Sequence, residues 1–191
     1  PRLDLGQVLD LARPSSRYNE GEMGLDVTSY FRSDEECFPC GAHAVHLTVD
    51  PETGKIEIER YVVAEDVGHV INPMILTGQL VGATAQGIGA TILEELVYDD
   101  SGQPLAGSLI DYLLPTSRDI PPIESEVLDL APSPLNPLGV KGAGEIGIVA
   151  TGAALSNAVS QALSSLGVEI RELPLSPSRL VELIREGNIT S

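Results

Sequence analysis

The sequence has no tryptophan, two phenylalanines and five tyrosines among its 191 residues. A core built from aromatic stacking is excluded, and the interior has to be made of Leu, Val, Ile and Ala. Cysteine is scarce as well. Two Cys cannot form the dense disulfide framework of a small secreted domain, and the cytoplasm is the default compartment. Positive charge is short: 11 Lys and Arg stand against 28 Asp and Glu, for a formal net charge of −17. That balance argues against a nucleic-acid partner, because phosphate-binding proteins carry basic patches. Its plain reading is solubility. No apolar run approaches the ~20 residues of a membrane-spanning helix. No basic segment precedes an apolar one as in a signal peptide. The first residue is Pro rather than Met, and residues 1–20 read as the end of something already under way, which suggests a fragment or a processed chain.

What is present is sufficient for a packed fold. Hydrophobic residues make up 42% of the chain, which favours a globular core over disorder. Residues 3–13 have the spacing of a short amphipathic helix stopped by Pro14. Residues 15–24 read as loop, 25–31 as a candidate strand and 32–37 as an acidic loop. Residues 42–49 and 55–63 are the clearest strands, the second alternating polar and apolar residues. The turn-forming stretch Asp50-Pro51-Glu52-Thr53-Gly54 joins them into a hairpin. Asn72-Pro73 starts a helix, with Asn as cap and Pro at the first turn. That helix runs to about Leu96 and carries glycines at 78, 82, 87 and 89. Each weakens a helix by up to ~1 kcal/mol relative to Ala, so close packing against a backbone or a ligand is expected. Asp99–Gly102 is a turn. Residues 108–114 and 123–130 read as extended, and 131–146 as a Pro/Gly loop. A second helix covers 147–166 and ends at Gly167, with a short strand over 168–173. A last helix opens at Ser176-Pro177, runs to about Glu186 and stops at Gly187. The mixture predicts an α+β (mixed α/β) fold over residues 1–191, as one region or two lobes.

The most informative stretch is Gly139-Val140-Lys141-Gly142-Ala143-Gly144-Glu145-Ile146-Gly147. It holds one carboxylate in a glycine-rich turn directly before helix-forming residues. Backbone N–H groups at a helix start favour anions, and Lys141 could neutralise one. The bland alternatives are a surface lysine and a helix-start carboxylate stabilised by ~0.3–1 kcal/mol. The glycine pattern is no dinucleotide fingerprint, since it lacks the third Gly and a preceding strand. Gln86 sits among small residues and either faces water or needs a hydrogen-bond partner. Cys37, Cys40, His43 and His46 offer zinc-type ligands. An offset of three on a strand puts the two His on opposite faces, however, and ordinary strand packing is favoured. Glu94, Glu95, Asp99 and Asp100 read as a solvated surface.

Five segments in order carry a resemblance. They are Gly68–Pro73, Gly78-Gln79 through Gln86–Gly89, Asp111–Thr116, Pro132–Gly139 and Lys141–Glu145. Together, over about residues 5–187, they resemble the C-terminal part of the molybdenum-binding large subunit of the molybdenum hydroxylases. That family contains xanthine dehydrogenase, aldehyde oxidoreductase and aerobic carbon monoxide dehydrogenase. The resemblance implies an oxidoreductase that uses a molybdenum–molybdopterin cofactor, with the cytosine dinucleotide as one form. An aldehyde, an N-heterocycle or a related small substrate is oxidised, with water as the oxygen source. Iron–sulfur clusters and FAD are expected on partner subunits or domains. Glu145 is the implied catalytic base, taking a proton from a hydroxyl ligand of the metal. Gln86, Gly87, Lys141, Gly142, Ala143 and Gly144 are the implied cofactor contacts, and no side chain here is an implied metal ligand. The resemblance also implies that the rest of the cofactor's loops lie upstream, including the loop that carries the copper-binding Cys of carbon monoxide dehydrogenases. Cys37 and Cys40 do not correspond to it. A non-catalytic scaffold that keeps the fold is the alternative, and a zinc-binding module is a third reading.

Overall fold

The computed structural model describes residues 2–11, 28–32 and 35–189. The chain divides into two compact units, residues 1–34 and 35–191. In the first, α1 spans Leu5–Leu11. It begins with a reciprocal cap: Gln7 N donates to Asp4 Oδ1 at 2.8 Å, and Asp4 N donates to Gln7 Oε1 at 3.0 Å. Two otherwise orphaned donors are thereby satisfied. Residues 28–32 have no regular structure, so the part of the expected 25–31 strand that is described does not form. The loop expected over 15–24 lies outside the described residues.

The second unit holds a three-stranded sheet in the order β1-β2-β3. β1 (Cys40–Val49) and β2 (Ile56–Asp66) form the expected antiparallel hairpin, with a register shift between His46 and Leu47. The Asp50 carboxylate closes its turn by accepting from Thr53 Oγ1 at 2.7 Å and Glu52 N at 2.9 Å. β3 (Ile123–Leu128) runs parallel to β2. Arg60 clamps the two strands with a forked pair of 2.7 Å hydrogen bonds to Glu124.

α2 spans Pro73–Ile92, and the Asn72 side chain accepts from Ile75 N as expected of its cap. The helix stops short of Leu96 because the amides of Leu93 and Glu94 both turn back to Gly89 O. The expected helix over 147–166 is divided into α3 (Ile146–Val149), α4 (Thr151–Ala162) and a 3₁₀ turn (Ser164–Leu166). Gly167 ends the run in a left-handed conformation, φ 70°. α5 spans Pro177–Ile189 and passes through Gly187 rather than stopping there.

Two stretches expected to be extended are not strands. Around Ser108 the chain folds on itself. Ser108 O accepts from Tyr112 N at 2.8 Å, and its hydroxyl donates to Asp111 at 2.9 Å. Local side-chain bonds of this kind compete with a strand ladder. Residues 168–173 run along α4 instead of a strand, with Ile170 N donating to Ser160 Oγ at 3.1 Å.

α4 packs against β1, while α2 packs against α3, α4 and β3. The main core is aliphatic, as the composition requires, with Val63, Ile88, Leu155, Val159 and Leu180 fully buried around one tyrosine, Tyr61. Close approach explains part of the glycine content of α2. A Cβ at Gly87 would stand 2.7 Å from Thr151 Cβ, and one at Gly147 would stand 2.7 Å from Leu80 O. Glycine at both positions lets α3 and α4 lie directly on α2.

Candidate functional site

The 139–145 loop crosses the end of the sheet where β1 begins and β2 stops. It is held on several sides. Lys141 N donates to Val67 O at 2.9 Å, His69 N to Gly139 O at 3.0 Å and Gly142 N to Cys37 O at 3.2 Å. The Asn136 side chain donates to Val140 O at 2.8 Å and accepts from Val140 N at 3.1 Å. Cys37 Sγ shares a 3.0 Å hydrogen bond with Ser133 Oγ. Gly68 and Gly139 both have positive φ, and a Cβ at Gly68 would lie 2.2 Å from Gly139 O. This clasp therefore requires glycine at 68.

Lys141 is not a surface lysine. Its ammonium lies 3.3 Å from Asp66 Oδ2, and both side chains are largely covered. The Gly68 N–H at 2.9 Å, and after it Lys141, hold the Asp66 carboxyl below its ordinary range against the opposing effect of burial. The pair ties the loop to the end of β2.

Two cavities share this loop as their partition. The larger, about 730 Å³, lies between Cys37–Gly41 and His43 on one side and Gly142–Ile146, Val149 and Ala150 on the other. The smaller, about 380 Å³, is bounded by Val67, His69–Asn72, Gln79 and Val140–Lys141. Ala143 and Gly144 face both. A third cavity, about 590 Å³, lies at the opposite, hairpin-turn end of the sheet and contains none of the expected site residues.

Glu145 is the N-cap of α3, with φ −117° and no side-chain capping bond. It is exposed in the wall of the larger cavity, and its carboxylate meets no hydrogen-bond or ion-pair partner among the described residues. The amides of Ala143, Gly144 and Glu145 likewise donate to no acceptor among the described residues. Since α3 is four residues long, these free loop amides, rather than a helix field, are the anion-friendly feature. A Cβ at Gly144 would meet nothing within 4 Å, so there is room beside them. Unsatisfied backbone donors lining an open, roomy wall suit an oxygen-rich ligand.

The structure therefore brings Lys141, Gly142, Ala143, Gly144 and Glu145 together. Gln86 is exposed on α2 and lines none of the three cavities, while Gly87 is buried against Thr151. His43 and His46 point to opposite sides, with side-chain exposures of 2% and 71%. Among the described residues, no three His, Cys, Asp or Glu side chains converge as a metal site. Sequence reasoning missed the two groups beneath the loop, Asp66 and Glu65, which are 5% and 0% exposed. The available signal was a pair of acids ending an apolar strand, where burial requires a partner.

The described residues form a module of mixed α+β architecture with an open, amide-lined loop at one end of its sheet. Residues 6–121 match the family model of the molybdopterin cofactor-binding domain, and the chain belongs to that family. It is 39% identical over 166 residues to the gamma subunit of the 6-hydroxypseudooxynicotine dehydrogenase complex of Paenarthrobacter nicotinovorans, covering 87% of this chain and 21% of the relative. It is 33% identical over 159 residues to the carbon monoxide dehydrogenase large chain of Afipia carboxidovorans, covering 83% and 20%. Quinoline 2-oxidoreductase from Pseudomonas putida 86 superposes with a TM-score of 0.73 at 43% identity, over 76% of this chain and 18% of that one. A Cu,Mo-carbon monoxide dehydrogenase superposes with a TM-score of 0.75 at 31% identity, over 80% and 19%. The chain thus spans about a fifth of the length of the curated relatives it matches. These relatives bear out the molybdenum hydroxylase resemblance. No helix among the described residues is long and apolar enough to cross a membrane.

Proposed function

We propose that this chain forms one wall of a molybdopterin-dependent active site in a larger cytoplasmic oxidoreductase, and that Glu145 is the catalytic base. The observation that carries the reading is the unpaired carboxylate of Glu145 beside three free amides in a cavity of about 730 Å³. When bound, the cofactor supplies the two-electron redox chemistry. The protein's part is to bind, orient and move a proton. The amides of Ala143, Gly144 and Glu145 hold oxygen-rich groups of the cofactor, with Gly142 and Gly144 keeping the wall low. Lys141, neutralised by Asp66, and Asn136 keep the loop from collapsing into either cavity. Gln86 faces outward from α2 and lines none of the cavities, so its proposed contact is with a part of the cofactor that extends beyond them, and Gly87 lets α4 approach that helix. Glu145 accepts the proton that must leave as water's oxygen is transferred to substrate, and no internal partner has to be displaced first.

The substrate class we assign is an aldehyde, an N-heterocycle or a related small molecule. The names of the relatives acting on quinoline, nicotine and 6-hydroxypseudooxynicotine support the heterocyclic end of that range. The remaining walls belong to the rest of a molybdenum subunit. Iron–sulfur and FAD subunits or domains take the electrons.

The test is Glu145→Gln in the assembled enzyme. Molybdenum and pterin content should stay at the wild-type level while kcat falls about 10²–10⁴-fold, the usual worth of a positioned base. Near-normal turnover removes Glu145 from that role.

A further inference from the structure

The connection from α2 to β3 exposes a run of large apolar side chains that the proposed chemistry does not use. Leu96, Tyr98, Leu105, Leu109, Ile110 and Leu114 all face solvent, Leu109 at 70% and Ile110 at 86%. Single apolar residues on a surface need no explanation, but a contiguous run of them marks a contact site.

The run is not slack chain. Tyr98 and Pro104 form an antiparallel bridge, and Leu105 N donates to Val97 O at 2.8 Å. The turn between them is built on Asp99. Its Oδ1 accepts from Ser101 Oγ at 2.6 Å and from the amides of Ser101 and Gln103, each at 2.9 Å. The Ser108 bend follows. The Tyr112 hydroxyl then donates to Glu94 at 2.5 Å, and a Cβ at Gly89 of α2 would lie 2.8 Å from Pro115 Cδ. The arm thus returns to the end of α2 from which it left. A two-stranded hairpin standing alone in water is marginally stable. One whose turn is bonded internally while its apolar side chains face outward is shaped for a partner surface.

Charge and position indicate which partner. The charged residues over 96–114 are Asp99, Asp100 and Asp111, all acidic. A second copy would bring another acidic arm and another net −17, and is repelled. An electron-accepting partner has to approach the proposed cofactor beside the 139–145 loop. The arm is rooted at the other end of the sheet, where Leu93 and Thr116 line the hairpin-turn cavity. It also lies wholly within residues 6–121, matched by the molybdopterin cofactor-binding domain, so it is part of the module itself. The chain covers 20% of the nicotine 6-hydroxylase large subunit and 20% of the carbon monoxide dehydrogenase large chain. The neighbour common to both is the rest of a large chain.

We propose that residues 96–114 are a docking arm that seats in an apolar socket, edged by Lys or Arg, on the rest of the molybdenum subunit. The arm fixes this module in the subunit from the end of the sheet away from the proposed cofactor. The proposal rests on the reading of this chain as part of such a subunit, and not on the role of Glu145.

The test uses the assembled enzyme. Tyr98 and Ile110 are replaced, one at a time, by the photo-crosslinking residue benzoylphenylalanine, and linked peptides are identified by mass spectrometry. The links should run to peptides of the molybdenum subunit outside residues 1–191. Links to an iron–sulfur or FAD subunit or to a second copy, or no link from either position, overturn the inference. Hydrogen exchange gives a reading without substitution. The amides of Ala106, Gly107 and Leu109 have no acceptor among the described residues, so an undocked arm exchanges there like an unstructured peptide. Docking should slow that exchange about tenfold or more, and free-peptide rates overturn it. Asp100 takes no part in the bonds of the turn and tests the socket's edge. Asp100→Lys should speed exchange over 96–114 about two- to fivefold, and less at high salt. Unchanged or slower exchange overturns the basic edge. An assembly without molybdenum overturns the reading of this chain as part of a molybdenum subunit and this inference with it. A molybdenum-containing assembly whose arm links elsewhere overturns this inference alone.

Discussion

Two glycines of one helix should respond oppositely to the same added methyl group. Gly82 and Gly87 both lie inside α2, so replacing either by Ala gains about the same in helix propensity, up to ~1 kcal/mol. The surroundings differ. A Cβ at Gly82 meets nothing within 4 Å. One at Gly87 lies 2.7, 2.8 and 2.9 Å from Thr151 Cβ, Oγ1 and Cγ2. Carbon atoms settle at about 3.5–4.0 Å, so the overlap is close to 1 Å. Thr151 cannot turn away cheaply, because its Cβ is fixed to α4 and its hydroxyl is bonded to Gly147. Overpacking of this kind costs ~1–3 kcal/mol. Gly82→Ala should therefore stabilise the 191-residue chain by up to ~1 kcal/mol. Gly87→Ala should leave it unchanged or destabilise it by up to ~2 kcal/mol after the propensity gain. Urea unfolding followed by circular dichroism reads both as shifts in midpoint at constant slope. Equal stabilisation by the two substitutions would refute the claim that contact with α4 is what demands glycine at 87.

Asn136→Ala removes both bonds to Val140 and should destabilise the loop by ~1–3 kcal/mol, seen as faster amide exchange over residues 139–145 with little change in the β1–β2 hairpin. Hydrogen bonds from Thr53 and then from Glu52 N depress the Asp50 carboxyl below its ordinary value of 3.8. Stability from that group is full above the ordinary value and is lost as pH falls through the depressed one. Asp50→Asn should accordingly flatten the fall of the urea midpoint as pH drops below the ordinary value of 3.8, relative to wild type, and an unchanged slope would contradict the assignment. The isolated chain, supplying one wall of the proposed site, should hold no stoichiometric molybdenum by elemental analysis, and finding it would show that these residues suffice.

Local chemistry was legible wherever it acts within a few residues. The Asn72-Pro73 start, the Asp50–Gly54 turn, the alternation along β2 and the split of His43 from His46 all follow from periodicity and short-range bonding, and all appear as expected. Expectations failed where a distant neighbour decides. The 147–166 helix breaks at Ala150. Gly187 continues α5 where it stands, and a Cβ there would lie 2.5 Å from Leu166 O. Residues 168–173 bond a helix side chain in place of a strand.

The candidate site divides in the same way. Composition and the order of five motifs were enough to place the chain in its family and to single out Lys141–Glu145, because those residues are contiguous and the glycines restrict what the loop can be. Only the tertiary structure decided what lies around them. Lys141 is spent on Asp66, the loop amides are left free and Glu145 unpaired among the described residues in the wall of the larger cavity, and Glu65 is sealed beneath Gly41 beside His43. Each of these depends on side chains tens of residues apart meeting across the sheet end. Burial, unlike spacing along the chain, is a property of the packed whole.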